Sequence, residues 1–138
     1  MLISVDPSNG LAIYDQIVRQ IKFAIASEAV LPGELVPSVR ELSKQVAVNP
    51  NTVARAYREL QNDGVVESVR GTGLIVTKAA PKQCRSERVN LIRERLRMVL
   101  REAQLSQLEV DEIRQLAESE LSQLNGRAAA GTAQGESA

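Results

Sequence analysis

Two helix-start signals lie close together in the middle of this chain, and little separates them. In Pro37-Ser38-Val39-Arg40-Glu41, Ser38 is spaced to accept from the backbone N–H three residues on, while Glu41 reaches back to the N–H of Ser38, the reciprocal pattern of a capping box. Asn49-Pro50 is the second signal. Asparagine caps well, and proline at the first helical position gives up an N–H that would have no helical partner anyway. The first helix then runs through Leu42 to about Val46. The second runs through Val53, Ala56, Tyr57 and Leu60 and stops at Gly64, which suits a left-handed residue after a helix end. Ala47 and Val48 alone join them. Two short helices linked by so tight a turn describe a helix-turn-helix.

The flanking segments agree. Residues 1–10 read as an extended arm ending in the turn Pro7-Ser8-Asn9-Gly10. Ile13, Ile17, Ile21 and Ala24, with Tyr14, Val18 and Ile25 beside them, recur three and four apart and make a wide apolar stripe on a helix that ends near Ser27. After Gly64, Val65, Val66 and Val69 suggest one strand and Leu74-Ile75-Val76-Thr77 another, joined by the hairpin tip Arg70-Gly71-Thr72-Gly73. Three helices followed by a hairpin make a winged helix-turn-helix over residues 1–80. A break at Lys78-Ala79-Ala80-Pro81-Lys82 precedes two further helices in residues 81–125. The first, about Ser86 to Gln104, carries Val89, Ile92, Leu96, Val99 and Ala103. The second starts with the capping pair Ser106 and Glu109 and carries Val110, Ile113, Ala117, Leu121 and Leu124. Each has an apolar seam too long for one hairpin to hide, so this region is expected to dimerise, with Val89, Ile92, Leu96, Val99, Ile113 and Leu121 in the seam. Residues 126–138 lack apolar periodicity and are expected to form a disordered tail. The fold class expected is mainly α with a small β-hairpin: an N-terminal winged helix-turn-helix followed by a two-helix dimerisation hairpin.

Composition removes most catalytic chemistry. The chain has no histidine and one cysteine, which excludes His-containing triads, His-ligated metal and an internal disulfide. No pair of carboxylates, nucleophile and base, or phosphate loop is visible, so neither a catalytic residue nor a metal or cofactor is expected. The first ten residues carry no signal-peptide pattern, and no apolar run approaches the roughly 20 residues of a membrane span, so a cytoplasmic location without membrane contact is expected.

Charge points elsewhere. Seventeen basic side chains balance seventeen acidic ones, but the sum hides a partition. Residues 81–100 hold six basic and two acidic side chains, and residues 101–138 hold three and seven. Within residues 38–58, Arg40, Lys44, Arg55 and Arg58 face a single acid, Glu41, itself a capping partner. A locally basic helix-turn-helix is the electrostatic footprint double-stranded DNA requires. The second helix of the motif opens with short polar groups at Asn49, Asn51 and Thr52, and Arg55 lies one turn on. Asparagine can pair with adenine and arginine with guanine, and any of these can instead hold phosphate. Asn49 is a helix cap first. Arg58 is as well explained by a solvated face as by DNA, and Arg70 at the wing tip can meet a phosphate or the minor groove or remain a free charge. The basic run Lys82, Arg85, Arg88, Arg93, Arg95 and Arg97 reads as a solvated helix face.

The string from Pro32-Gly33-Glu34-Leu35-Val36-Pro37-Ser38-Val39-Arg40-Glu41-Leu42, through Val48-Asn49-Pro50-Asn51-Thr52-Val53-Ala54-Arg55-Ala56-Tyr57-Arg58-Glu59-Leu60, to Gly64 and Arg70-Gly71-Thr72-Gly73 resembles the GntR family of bacterial transcription regulators. The Asn-Pro-Asn-Thr-Val spelling, the opening Ile13-Tyr14-Asp15-Gln16-Ile17 and the short two-helix C-terminal part look most like its YtrA subfamily. The resemblance implies DNA contact by Arg40, by the polar residues Asn49, Asn51 and Thr52 and by the wing-tip Gly71. Arg55 is added from helix geometry. There are departures: relatives often have arginine at the positions of Pro50 and Ala54, lysine at that of Thr72, and glycine where Glu28 ends the first helix. Residues 81–125 can hardly enclose a ligand pocket of several hundred Å³, so the resemblance implies a dimerisation device, and any small-molecule effector stays unknown. The implied function is a homodimeric repressor on an inverted-repeat operator, with an ABC-transporter operon as the implied target. The alternative is a winged-helix protein-interaction module without specific DNA binding.

Overall fold

The structure is a computed structural model that describes residues 1–136, with side chains described as far as Arg127. It divides into two compact units, Met1–Leu91 and Ile92 onward. In the first, helix α1 (Ile13–Ala26), α2 (Val39–Val46) and α3 (Pro50–Asn62) precede strands β1 (Val66–Val69) and β2 (Gly73–Val76). Both helix starts form as their residues dictate. Ser38 Oγ accepts from Glu41 N at 3.1 Å while Glu41 Oε1 accepts from Ser38 N at 3.4 Å. Asn49 Oδ1 accepts from Asn51 N at 2.8 Å ahead of Pro50.

The core is aliphatic. Ile17, Ile21 and Ile25 of α1, Leu42 of α2, and Val53, Ala56 and Leu60 of α3 have no exposed surface. The hydroxyl of Tyr57 donates to the Pro37 carbonyl at 2.6 Å, tying α3 to the start of α2. Burial, then the nearby Glu41 carboxylate, raises the pKa of this phenol, so it stays a donor. The N-terminal arm is held by Gln16, whose amide donates to the carbonyls of Asp6 and Leu11 and accepts from Asp6 N.

β1 and β2 pair antiparallel, Val66 opposite Val76 and Val69 opposite Gly73. The segment around Leu35, between α1 and α2, adds a further edge: Leu35 bridges Ile75, Val36 N donates to the Leu74 carbonyl and Gly33 N to that of Val76. The wing tip turns through Gly71 at φ +78° and Gly73 at φ +125°, where a Cβ at Gly73 would stand 3.4 Å from the Leu35 side chain.

Helix α4 (Ala80–Leu105) begins earlier than expected. Pro81 lies in its first turn, where a missing N–H costs nothing, and Ala80 and Cys84 are completely buried in the winged unit's core. The boundary between units therefore falls within α4 rather than at residue 80. Burial, then Glu87, pushes the Cys84 thiol up to about 11, so it behaves as a small apolar residue. The capping pair expected at Ser106 and Glu109 does not form. Ser106 Oγ donates back to the Ala103 carbonyl, and Glu112 Oε1 accepts from Glu109 N at 3.4 Å, one residue ahead of helix α5 (Val110–Glu136). The stretch expected as a disordered tail, 126–138, is helical as far as Glu136. Ser137 and Ala138 lie outside the described residues.

Glu28, at the position where the family resemblance implies glycine, has φ 64°. A left-handed backbone costs a side-chain-bearing residue about 1–2 kcal/mol, partly offset by the entropy glycine loses on folding. Glu28→Gly is expected to raise unfolding free energy by about 0.5–1 kcal/mol in a urea titration. An unchanged or lower value would contradict the strained turn.

Candidate nucleic-acid interface

The solvent face of α3 is set by what its other face buries. Val53, Ala56, Tyr57 and Leu60 turn inward, so helical periodicity places Asn51, Arg55 and Arg58 together on the outer stripe. All three are exposed, and Thr52, on the flank of the stripe, is half-buried. Arg40, in the first turn of α2, is exposed as well. The hydrogen bond from Tyr57 to the residue before the α2 cap fixes this end of α2 against α3. Asn49 is exposed, but its side-chain oxygen is taken by the cap. Its amide nitrogen remains the group able to meet another ligand.

Electrostatics favour an anion here. The first turn of α3 contains no acid, so the partial positive charge of the helix N-terminus is not offset locally. At the wing, Arg70 and Gly71 are both exposed, with Gly71 at the apex of the turn.

Arg55 differs from the free base reader its spacing implies. Its guanidinium carbon lies 3.8 Å from the centre of the Tyr14 ring. Arginine stacked on an aromatic face is held by the ring quadrupole, for about 0.5–1 kcal/mol at an exposed position. By spacing alone Tyr14 belongs to the apolar stripe of α1. Its partner lies on another helix, and no local spacing signals such a pair.

The C-terminal positions are equally accessible. Val89, Ile92, Leu96, Val99 and Leu121 are between 52% and 60% exposed, and Ile113 is half-buried. In the second unit, Leu96, Leu100, Leu108, Val110 and Ile113 line an open groove of about 550 Å³, together with Arg97, Arg101 and Arg114. The groove is open rather than enclosed. Among the described residues no cluster could hold a metal ion, and no helix is long and apolar enough to cross a membrane.

Comparison with known proteins matches this geometry. The family of bacterial regulatory proteins called GntR matches residues 13–76, the segment from α1 to the end of the wing. The HTH-type transcriptional repressor YtrA of Bacillus subtilis is 33% identical over 81% of this chain and 86% of its own length. The chain belongs to the GntR family. A GntR family transcriptional regulator from Listeria monocytogenes superposes with a TM-score of 0.63 at 30% identity, over 81% of this chain and 97% of that one. The DNA-binding domain of AraR in complex with operator ORX1 superposes with a TM-score of 0.51 at 28% identity, over 55% of this chain and 96% of that one. As a GntR protein the chain is a DNA-binding transcription regulator rather than an enzyme.

Proposed function

We propose that this GntR regulator is a homodimeric repressor that binds an inverted-repeat operator. The observation that carries the reading is the outer stripe of α3, polar and basic beside an unneutralised helix N-terminus, with Arg40 exposed on the adjoining helix. On this reading Asn51, Thr52 and Arg55 meet base edges or phosphates in the major groove, with Tyr14 holding the Arg55 guanidinium in place before DNA arrives. Arg40, Arg58 and the Asn49 amide hold the backbone, while Arg70 and Gly71 approach the flanking strand from the wing.

The dimer is supported by the exposed apolar side chains of α4 and α5. Apolar surface of that extent signals a partner. Two copies would set two recognition helices on one face of DNA, with half-sites about 10 bp apart or a multiple of that. Occupancy would exclude polymerase. By likeness to the YtrA subfamily an ABC-transporter operon is the proposed target. The proposed location is the cytoplasm, where the DNA is, and no effector is assigned.

Arg40→Ala and Arg55→Ala are each expected to weaken operator binding by about 1–3 kcal/mol in a mobility-shift titration, with the circular dichroism spectrum unchanged. Wild-type affinity in both variants would remove these residues from the interface. Leu96→Asp is expected to yield monomers in light scattering. A variant that stayed dimeric would place the seam elsewhere.

A further inference from the structure

Lys22 is the one charged side chain among the described residues that lies buried, 6% exposed, on α1 away from the outer stripe of α3. Its ammonium donates to Asp63 Oδ2 at 2.8 Å and to Glu87 Oε2 at 2.6 Å. Asp63 is the C-cap residue of α3, and Glu87 lies on α4. Gln83, one turn before Glu87, donates to the Asp63 carbonyl at 2.8 Å and to Glu87 Oε1 at 3.0 Å. Four side chains thus tie three helices at one point: α1, the end of the recognition helix and the first turns of α4.

Hydrophobic contact alone does not explain this arrangement. Ala80 and Cys84 already bury the start of α4, and small apolar side chains permit a helix to slide or rotate by a fraction of a turn. Removing a lysine from water is costly, and a buried ion pair seldom adds net stability over an apolar replacement. Such a group does set register, because its hydrogen bonds tolerate little displacement. Burial works against the Lys22 charge, but its bonds to Asp63 and Glu87 outweigh it and raise its pKa. Burial likewise opposes the Glu87 charge, and the bonds from Lys22 and Gln83 overcome it and lower its pKa.

We propose that Lys22 is a positioning residue that fixes the setting of α4 on the recognition helix α3, and so determines which half-site spacing the dimer accepts. Beyond Glu87, α4 continues as one helix carrying Ile92, Leu96 and Val99. The proposal rests on the homodimer reading above.

The test uses the full chain and duplexes bearing two half-sites obtained by selection, at the selected spacing and at spacers altered by one to four base pairs, with a single half-site as control. Wild type is expected to prefer one spacing by about tenfold or more, and Lys22→Met to bring that preference down to about twofold, a loss of ordinary size for a broken side-chain network. Affinity for the single half-site stays unchanged, which a general loss of structure would not allow. Glu87→Gln, which keeps hydrogen-bonding groups, is expected to retain more of the preference than Lys22→Met. A selective wild type with an equally selective Lys22→Met overturns the proposal and leaves the dimer standing. A wild type indifferent to spacing overturns the proposal alone, and one that binds two half-sites no more tightly than a single half-site overturns the homodimer reading as well. Should Lys22→Met not fold, Glu87→Ala, at a side chain 33% exposed, decides by the same readout.

Discussion

The recognition surface depends on the burial of the opposite face of α3. Val53, Ala56 and Leu60 are completely enclosed against the isoleucines of α1 and Leu42 of α2. Full burial of Val53 and Leu60 contributes about 1.5–3 kcal/mol each, whereas a helix the length of α3 is marginal by itself in water. The apolar stripe therefore holds the helix and, in the same act, rotates Asn51, Arg55 and Arg58 outward. With only three aromatic residues in the chain, Tyr14, Phe23 and Tyr57, the two tyrosines take on roles beyond filling space. Tyr57 fastens α2 to α3 through its hydroxyl, and Tyr14 supports Arg55 through its ring.

A net charge of zero is no obstacle to binding a polyanion because the charges are sorted. Residues 38–58 keep their basic side chains on exposed positions and place their one acid, Glu41, in the capping box. The remaining imbalance is divided between a basic start to residues 81–138 and an acidic end. Exposed opposite charges on facing helices add only about 0.2–1 kcal/mol per pair, so they would serve the alignment of two chains better than their cohesion. Cohesion falls to the exposed aliphatic residues of α4 and α5.

Features governed by residues close in sequence were legible before the structure. The capping box at Ser38 and Glu41, the cap and proline at Asn49 and Pro50, and the stop at Gly64 each need only a few neighbouring residues, and all form as expected. Features that depend on distant partners were not legible. Leu35 is 54% exposed and flanked by turn residues, yet its backbone pairs with Ile75. Lys78 to Pro81 has the composition of a linker, but burial of Ala80 and Cys84 extends α4 through it. Ser106 has the right spacing for a cap on α5 but bonds backward to close α4 instead. In the candidate site, the shared outer face of Asn51, Arg55 and Arg58 follows from helical periodicity. The stacking of Arg55 on Tyr14 does not, because no spacing within either helix encodes a contact between them.

The most direct test of the account is selection of bound sequences from a random duplex library by the full-length chain. The account predicts enrichment of one short motif and its inverted copy, with centres separated by about one helical turn or a multiple of it. Recovery of unenriched sequence, despite a folded protein, would contradict the claim that the exposed stripe of α3 reads DNA.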